Sequence, residues 1–352
     1  MPGPYTGKPT TVRGLIINSE RNVSLNSFSI RPSGEEYARI RVEACGLCTW
    51  EQRVYRGVKQ TYPFWGGHEV CGTVDSIGGS NSNNLKEGER VALALMRRCG
   101  DCYYCQRGLD NHCVYVRPEA VGDIPQGPRG LSDLMIVPAY QVFPLSLHVS
   151  AADGALVEPT ACVLRSIDKG RVSSGNTAVV IGSGTMGLIH TSLLKRAGCK
   201  VALCGDDSDF GRASAAGADV VLSLNSNNLE EEILAITEGH GADAVFCTRG
   251  GVVGIEFAVK IVGRGGRVVL YQSIRGLDVS SLKANDLHYR EIEIVGTISQ
   301  TISDFQRAAE LVSSHAGLLD FLATEVVDAE RGNFAFEQAM NPRINRVLVS
   351  FS

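Results

Sequence analysis

Four cysteines lie close together in the run RRCGDCYYCQRGLDNHC. Their spacing, C-x2-C-x2-C-x7-C, brings four thiolates within reach of one ion, and a closed shell of four sulfurs is typical of structural zinc. A pair of disulfides is one alternative, but gaps of two residues are too tight for unstrained pairing. An iron–sulfur cluster is another, but such runs have a different last gap and a following proline. The spacing therefore favours a zinc ion bound by Cys99, Cys102, Cys105 and Cys113.

A second set of zinc-ligand types is spread over three short motifs. Cys48 closes the run CGLC, His68 and Glu69 end the run GGHE, and Glu158 lies in the run VEP. A catalytic zinc site uses about three protein ligands of these types and leaves one position open. Distance along the chain cannot show that these residues meet, so the set by itself only suggests a catalytic metal.

A glycine-rich loop follows the apolar run TAVVI and has the full G-x-G-x-x-G pattern, Gly182-Ser183-Gly184-Thr185-Met186-Gly187. Between a strand and a helix, its glycines permit a tight turn, close approach of a pyrophosphate and close helix–strand packing. Asp206 follows nineteen residues after the last glycine, where an acid binds the adenosine ribose hydroxyls. Asp207 adds a second negative charge, and the next four residues contain no Arg or Lys. The pattern predicts a dinucleotide site that favours NAD over NADP, with a turn that binds nothing as the alternative.

The elements that position these motifs change character near residue 156. Before it, alternating strands at 39–43 and 70–77 are separated by turn-rich segments such as 81–88. After it, helical patterns alternate with continuous apolar strands at 177–181, 200–204, 219–222, 244–247, 267–271 and 291–295. This order predicts a parallel sheet buried on both faces.

The predicted fold class is α/β, with a doubly wound parallel-sheet domain at 156–298 and a mostly-β domain at 1–155. A helix over 302–314 and a strand over 346–350 are too little for a third domain. We therefore expect residues 299–352 to complete the first domain.

Composition narrows the class of protein further. The chain has 352 residues, a net charge of −4 and no basic cluster that would bind nucleic acid or an anionic membrane. No apolar stretch is long enough to span a bilayer, and the first residues lack the apolar core of a signal peptide. Eleven cysteines without a secretion signal indicate a reducing compartment. We expect a cytoplasmic protein.

The order of the motifs resembles that of the zinc-dependent medium-chain dehydrogenase/reductase family, over essentially the whole chain. The cysteine loop, G-H-E, the four-cysteine lobe, E-P and G-x-G-x-x-G follow one another as in its sorbitol- and threonine-dehydrogenase branch. The resemblance implies a GroES-like catalytic domain and a Rossmann domain. It also implies two zinc ions per chain, NAD, and oxidation of a secondary alcohol or polyol by hydride transfer.

Site residues follow from the same resemblance. It implies that Cys48 and His68 bind the catalytic zinc, with Glu69 as a ligand or exchangeable neighbour and Glu158 as a third or fourth ligand. Glu51 lies where the family usually has an aspartate that orients the histidine. The other cysteines are expected to be non-ligand core residues: Cys45, Cys71, Cys162, Cys199, Cys204 and Cys247.

One position departs from the family. A Ser or Thr usually relays the substrate proton two residues after the ligand cysteine, but Trp50 lies there, so Thr49, a water chain or the substrate itself would have to carry the proton. Trp50 is then expected to form a pocket wall, with plain packing as the alternative, and the loop 116–129 is expected to contribute further pocket residues. Two other functions stay open: a lyase or epimerase that uses tightly bound NAD transiently, and a non-catalytic redox sensor. The strand at 291–295 is expected to pair with its twin in a homodimer or homotetramer.

Overall fold

The computed structural model describes residues 9–31, 36–78, 84–115, 123–273 and 282–351. Part of the predicted turn (81–83) and part of the predicted pocket loop (116–122) lie outside these residues. The chain divides into two compact units, the first formed by Met1–Ala161, Gln300–Gly317 and Ala323–Ser352, and the second by Cys162–Ser299 and Leu318–Leu322.

The strands, numbered in chain order, are β1 (Thr10–Ser19), β2 (Asn22–Ile30), β3 (Tyr37–Gly46), β4 (Glu69–Gly78), β5 (Arg90–Leu93), β6 (Leu134–Pro138), β7 (Val142–Pro144), β8 (Thr177–Ile181), β9 (Lys200–Gly205), β10 (Val220–Ser223), β11 (Ala242–Cys247), β12 (Val262–Leu270), β13 (Glu293–Gly296), β14 (Thr324–Asp328) and β15 (Arg346–Ser350). The helices are α1 (Thr49–Tyr55), α2 (Ala151–Ala155), α3 (Val157–Gly170), α4 (Thr185–Arg196), α5 (Phe210–Ala215), α6 (Leu229–Ile236), α7 (Gly251–Ile261), α8 (Ala284–Arg290), α9 (Ile302–Ser314) and α10 (Gly332–Gln338).

The first unit is built on a seven-stranded sheet in the order β14-β15-β3-β4-β5-β7, with β6 also pairing with β3. Its pairs are antiparallel except for β14 and β15. In β3 the residues Ala38, Ile40 and Val42 are buried on one face, as the alternating sequence predicts. The last strand, β15, pairs with β3, so the end of the chain belongs to this sheet.

The second unit holds a six-stranded parallel sheet in the order β10-β9-β8-β11-β12-β13. This order is that of the doubly wound dinucleotide-binding fold, with β8 as its first strand. Along β8, Ala178 and Val180 join the core on one face, whereas Val179 and Ile181 join the core on the other. The prediction of a sheet buried on both faces is therefore confirmed.

Several predicted elements agree with the structure to the residue. The strand TAVVI, the helix α9 and the strand RVLVS have the predicted bounds. Helix α9 begins at a capping box, in which the Thr301 hydroxyl accepts from the Asp304 amide and the Asp304 carboxylate accepts from the Thr301 amide. In the described part of the chain, no helix is both long and apolar enough to cross a bilayer.

Candidate active site and metal centres

Three predicted zinc ligands meet in the first unit. Cys48 directly precedes α1, His68 directly precedes β4, and Glu69 is the first residue of β4. The antiparallel register pairs Gly46 with Glu69, so the end of β3 delivers Cys48 beside His68. One ligand atom from each of the three residues lies within 4.8 Å of the other two.

Glu51 orients the histidine of this cluster. Its Oε1 accepts from His68 Nδ1 at 3.0 Å and from the Gly67 amide at 3.0 Å, and its side chain is fully buried. Burial opposes ionisation of Glu51, but the charge and hydrogen bond of His68 outweigh it, so its pKa is lowered. Since Nδ1 is engaged, Nε2 of His68 is the ring nitrogen left for a metal.

Glu69 is held by a buried arginine from the end of the chain. Arg346 Nε lies 3.1 Å from Glu69 Oε2, and its Nη1 donates to the Leu47 carbonyl at 3.1 Å. Glu69 Oε2 is buried and, among the described residues, accepts no hydrogen bond, so its contact with Arg346 is an ion pair. Burial raises the pKa of Glu69 to about 7, with Arg346 and His68 acting in the opposite direction.

The remaining predicted residues of this site lie around the cluster. Glu158, in the first turn of α3, is largely buried and lies outside the cluster of three, but its charge raises the pKa of Glu69. Thr49 is the first residue of α1 and its side chain is exposed. The ring of Trp50 lies 5.6 Å from the His68 ring and 5.4 Å from that of Phe64.

The donor set fits a zinc ion. A thiol, an imidazole nitrogen and a carboxylate oxygen are all zinc ligands, and the set is borderline-soft as zinc prefers. Glu69 also lies next to two further carboxylates, Glu51 and Glu158, and the charge of Arg346 offsets one of the three, so the excess negative charge favours a cation at this point.

The four-cysteine lobe brings all its sulfurs together. One sulfur from each of Cys99, Cys102, Cys105 and Cys113 lies within 4.8 Å of the others, and Cys99 and Cys105 are 3.9 Å apart. Tetrahedral zinc with bonds of about 2.3 Å separates its sulfurs by about 3.8 Å. Backbone amides of Cys105 and Val114 lower the pKa of Cys102 to about 6. The lobe therefore fits a closed zinc shell.

The other six cysteines take part in neither group of ligands. All eleven are free thiols, and Cys45, Cys71, Cys199, Cys204 and Cys247 are buried, whereas Cys162 is half-buried. Burial raises the pKa of Cys71, Cys204 and Cys247 to about 12 each. The five buried thiols lie in the core, whereas the expectation of a core position is not met for the half-buried Cys162.

The glycine-rich loop of the second unit has the geometry of a phosphate site. Gly182 has a φ of +111°, and a Cβ on Gly187 would lie 1.8 Å from the Gly182 carbonyl oxygen. A Cβ on Gly184 would meet nothing within 4 Å, so the space that a side chain would fill stays open to a ligand. Thr185 and Met186 begin α4, whose amino end carries no side-chain cap. These amides fit a pyrophosphate.

The acid that follows β9 lies beside this loop. The Asp206 amide donates to Ser183 Oγ at 3.1 Å, which fixes its backbone on the loop. Its carboxylate is half-exposed and forms an ion pair with Arg249, the second residue after the end of β11. Asp207 is exposed at the start of a short 3-10 helix. Both predicted acids therefore lie at the carboxyl edge of the sheet.

Sequence reasoning missed two arginines and one acid at these sites. Arg346 begins β15 and Arg249 follows β11, so each comes from an element remote in sequence from its partner. Asp209 is buried, accepts from Ser183 Oγ at 2.6 Å and pairs with Arg212. The signal for Arg346 is a charged residue opening an otherwise apolar strand.

Comparison with known proteins agrees with this geometry. The model of the alcohol dehydrogenase GroES-like domain matches residues 34–147, and that of the zinc-binding dehydrogenases matches residues 185–314. D-arabinitol dehydrogenase 1 of Uromyces fabae is 27% identical over 348 residues, 97% of either chain. Sorbitol dehydrogenase of Bacillus subtilis (strain 168) is 25% identical over 94% of either chain. A zinc-binding dehydrogenase of Sinorhizobium meliloti 1021, solved with NADP, is 25% identical with a TM-score of 0.85, covering 97% of this chain and 99% of that one.

The chain belongs to the zinc-dependent medium-chain dehydrogenase family, since the two family matches together cover most of its length. It is an oxidoreductase that uses zinc and a nicotinamide dinucleotide to oxidise alcohols. The predictions of family, fold class and enzyme class are thereby confirmed.

Proposed function

We propose that the chain catalyses the reversible oxidation of a secondary hydroxyl group of a polyol to a ketone, with NAD as hydride acceptor. The observation that carries this proposal is the cluster of Cys48, His68 and Glu69, in which Glu51 fixes the histidine for metal binding. Zinc bound there supplies Lewis-acid chemistry that acidifies an alcohol or polarises a ketone, and a bound nicotinamide dinucleotide accepts or returns the hydride.

The chain's own residues have separate tasks in this proposal. Cys48 and His68 bind the zinc, and Glu51 keeps the His68 ring in one orientation. Glu69 is the carboxylate that completes the set, because its oxygen lies within the cluster. Glu158 is the exchangeable neighbour, close enough to act on Glu69 through its charge.

Trp50 is proposed as a wall of the substrate pocket. Its ring lies beside the His68 ring, and Lys59 Nζ is 4.8 Å from the ring centre of Trp50. Nε1 of Trp50 is buried and has no hydrogen-bond partner among the residues described, so a donor is available to a ligand. An aromatic face with one donor suits the carbon chain and hydroxyls of a polyol. Because an indole cannot relay a proton, we propose that the exposed Thr49 hydroxyl or water carries it away.

Relatives support the substrate class. The curated relatives include a D-arabinitol dehydrogenase and a sorbitol dehydrogenase, which align with nearly the whole chain. Both names denote sugar alcohols with secondary hydroxyl groups. D-arabinitol and D-sorbitol are therefore the first compounds to test.

We also propose a homodimer or homotetramer in the cytoplasm. β13 is the last strand of the six-stranded sheet, and pairing with a second copy would protect an exposed edge. Eleven free thiols suit a reducing compartment.

The test is the zinc content of the purified chain, measured by mass spectrometry of the metal. We expect two zinc ions in the wild type and one in Cys48→Ala. Cys45→Ala is the matched control, since Cys45 is a buried thiol three positions away, and it should retain two. One zinc in the wild type and an unchanged value in Cys48→Ala would refute the proposed site.

Two carboxamide variants distinguish the carboxylates. Glu69→Gln should weaken zinc binding more than Glu158→Gln, because only the Glu69 oxygen lies in the cluster. If Glu158→Gln weakened zinc binding more, Glu158 would be the ligand and Glu69 the exchangeable neighbour. Turnover is then measured as NADH formation with D-arabinitol and D-sorbitol, and activity that survives loss of the catalytic zinc would contradict the mechanism.

A further inference from the structure

Arg249 places a cation at the ribose end of the dinucleotide site. Its backbone is fixed on β8, since the amides of Thr248 and Arg249 donate to the Ile181 carbonyl at 3.0 and 3.2 Å. The Thr248 hydroxyl donates to the same carbonyl at 2.8 Å. The backbone of the residue is therefore held at the carboxyl edge of the sheet.

The side chain of Arg249 crosses the phosphate loop. Its Cβ is only 2.8 Å from the position that a Cβ on Gly182 would occupy, and its guanidinium pairs with Asp206. β9 and β11 flank β8, so the residues that follow them are about two strand spacings, or about 10 Å, apart. An extended arginine spans that gap.

Both charged groups are accessible to a ligand. The side chain of Arg249 is 58% exposed and that of Asp206 is 45% exposed. A guanidinium has five N–H donors in a planar fork that matches phosphate, and one carboxylate oxygen does not exhaust them. Of the two other acids nearby, Asp209 is occupied by Ser183 and Arg212, and Asp207 is exposed on the short 3-10 helix.

We infer that Arg249 determines cofactor specificity and allows the chain to bind NADP as well as NAD. An isolated Asp206 would accept the ribose 2′-hydroxyl of NAD and repel a 2′-phosphate. The paired Arg249 offsets that repulsion and offers donors to the phosphate. The inference rests on the proposed dinucleotide-dependent function and names a property of the same site.

The test uses calorimetric binding of two fragments that differ only in the 2′-phosphate, 2′,5′-ADP and 5′-AMP. In Arg249→Gln we expect the Kd of 2′,5′-ADP to rise about 10- to 100-fold, as for one lost charged hydrogen bond, while the Kd of 5′-AMP changes less than about threefold. Arg249→Lys should fall between the wild type and Arg249→Gln, because it keeps the charge and loses the fork.

The matched control is Arg264→Gln, which removes the same charge near the start of β12, at the opposite edge of the parallel sheet. It should leave both affinities unchanged. Equal weakening of the two fragments in Arg249→Gln, or no weakening of either, would overturn the inference. Wild-type binding of NAD without NADP would also overturn it and leave the proposed function intact. Failure to bind either dinucleotide would refute the proposed function itself.

Discussion

Protonation of one buried histidine should destabilise the dinucleotide-binding unit in mild acid. His190 lies in α4, immediately behind the phosphate loop, with its ring packed against Phe246 and Tyr271. Its Nδ1 is 2.7 Å from the Met186 carbonyl, which can only accept, so Nδ1 carries the proton. Nε2 then accepts from the Ser166 hydroxyl at 2.8 Å. The neutral ring is fully satisfied.

The magnitude follows from the pKa. Burial lowers the pKa of His190 from 6.5 to about 4. Between these two pH values the unfolded chain binds a proton that the folded chain does not. The contribution of neutral His190 to the free energy of unfolding is therefore fully present above about pH 6.5 and is lost as the pH falls towards about 4. At about 1.4 kcal/mol per pKa unit, the full loss is about 3 kcal/mol, of which about 2 kcal/mol falls between pH 7 and pH 5.

The assay must report on the second unit alone. Both tryptophans, Trp50 and Trp65, belong to the first unit, so their fluorescence does not serve. We would measure hydrogen exchange of peptides covering β8 and β11 at pH 7 and pH 5, corrected for intrinsic exchange rates. Between pH 7 and pH 5, the protection of these peptides against exchange should fall about 20-fold more in the wild type than in His190→Gln, because the variant has no titratable ring at this position.

The control is His240→Gln, which removes an exposed histidine from the same unit. It shows how much the loss of a histidine without a buried ring changes the pH dependence of protection. His190→Gln loses ring packing and is expected to be less stable at pH 7, so the comparison rests on the pH dependence and not on the absolute stability. Identical pH dependence in the wild type and His190→Gln would show that His190 is not held neutral by its surroundings.

Four further single substitutions test an ion pair, two glycines of the phosphate loop and a helix cap. Arg346→Met should lower the free energy of unfolding of the first unit by about 3 kcal/mol, because it leaves Glu69 buried without its cation. Urea unfolding, followed by tryptophan fluorescence, measures this loss. Combining Arg346→Met with Glu69→Gln should recover much of that loss. Gly184→Ala should fold normally and weaken dinucleotide binding, measured by calorimetry, at least about tenfold. Gly187→Ala should in addition lower the midpoint of thermal unfolding, since its methyl group would lie 1.8 Å from a backbone oxygen. Thr301→Ala should cost about 1 kcal/mol in urea unfolding through loss of a helix cap, and no loss would contradict the capping role.

Local sequence features predicted the elements well because short-range physics determines them. TAVVI is continuously apolar and is buried on both faces, and helix α9 begins at its own capping residues. The four cysteines of the lobe meet because they are close in sequence. The meeting of Cys48 with His68 was not visible in the same way, since it depends on the register between β3 and β4.

The ion pairs that complete each site depend on longer-range topology. Arg346 reaches Glu69 only because β15 pairs with β3, and no periodicity in the sequence specifies that pairing. Burial of Arg346 then makes its partner necessary, since an unpaired buried guanidinium is strongly unfavourable. A charged residue within an apolar strand thus predicts a buried acid, although it cannot identify which one.

The ribose end of the dinucleotide site shows what sequence could have added. The preference for NAD was inferred from the residues that follow Asp206, but the cation there arrives from 43 residues further along the chain. Once G-x-G-x-x-G marks β8 as the first strand, the doubly wound order places the strand after the third helix on its other side. Side chains that follow both neighbouring strands then share one edge with the phosphate loop. The search for a 2′-phosphate partner must therefore include the end of β11, where Arg249 lies.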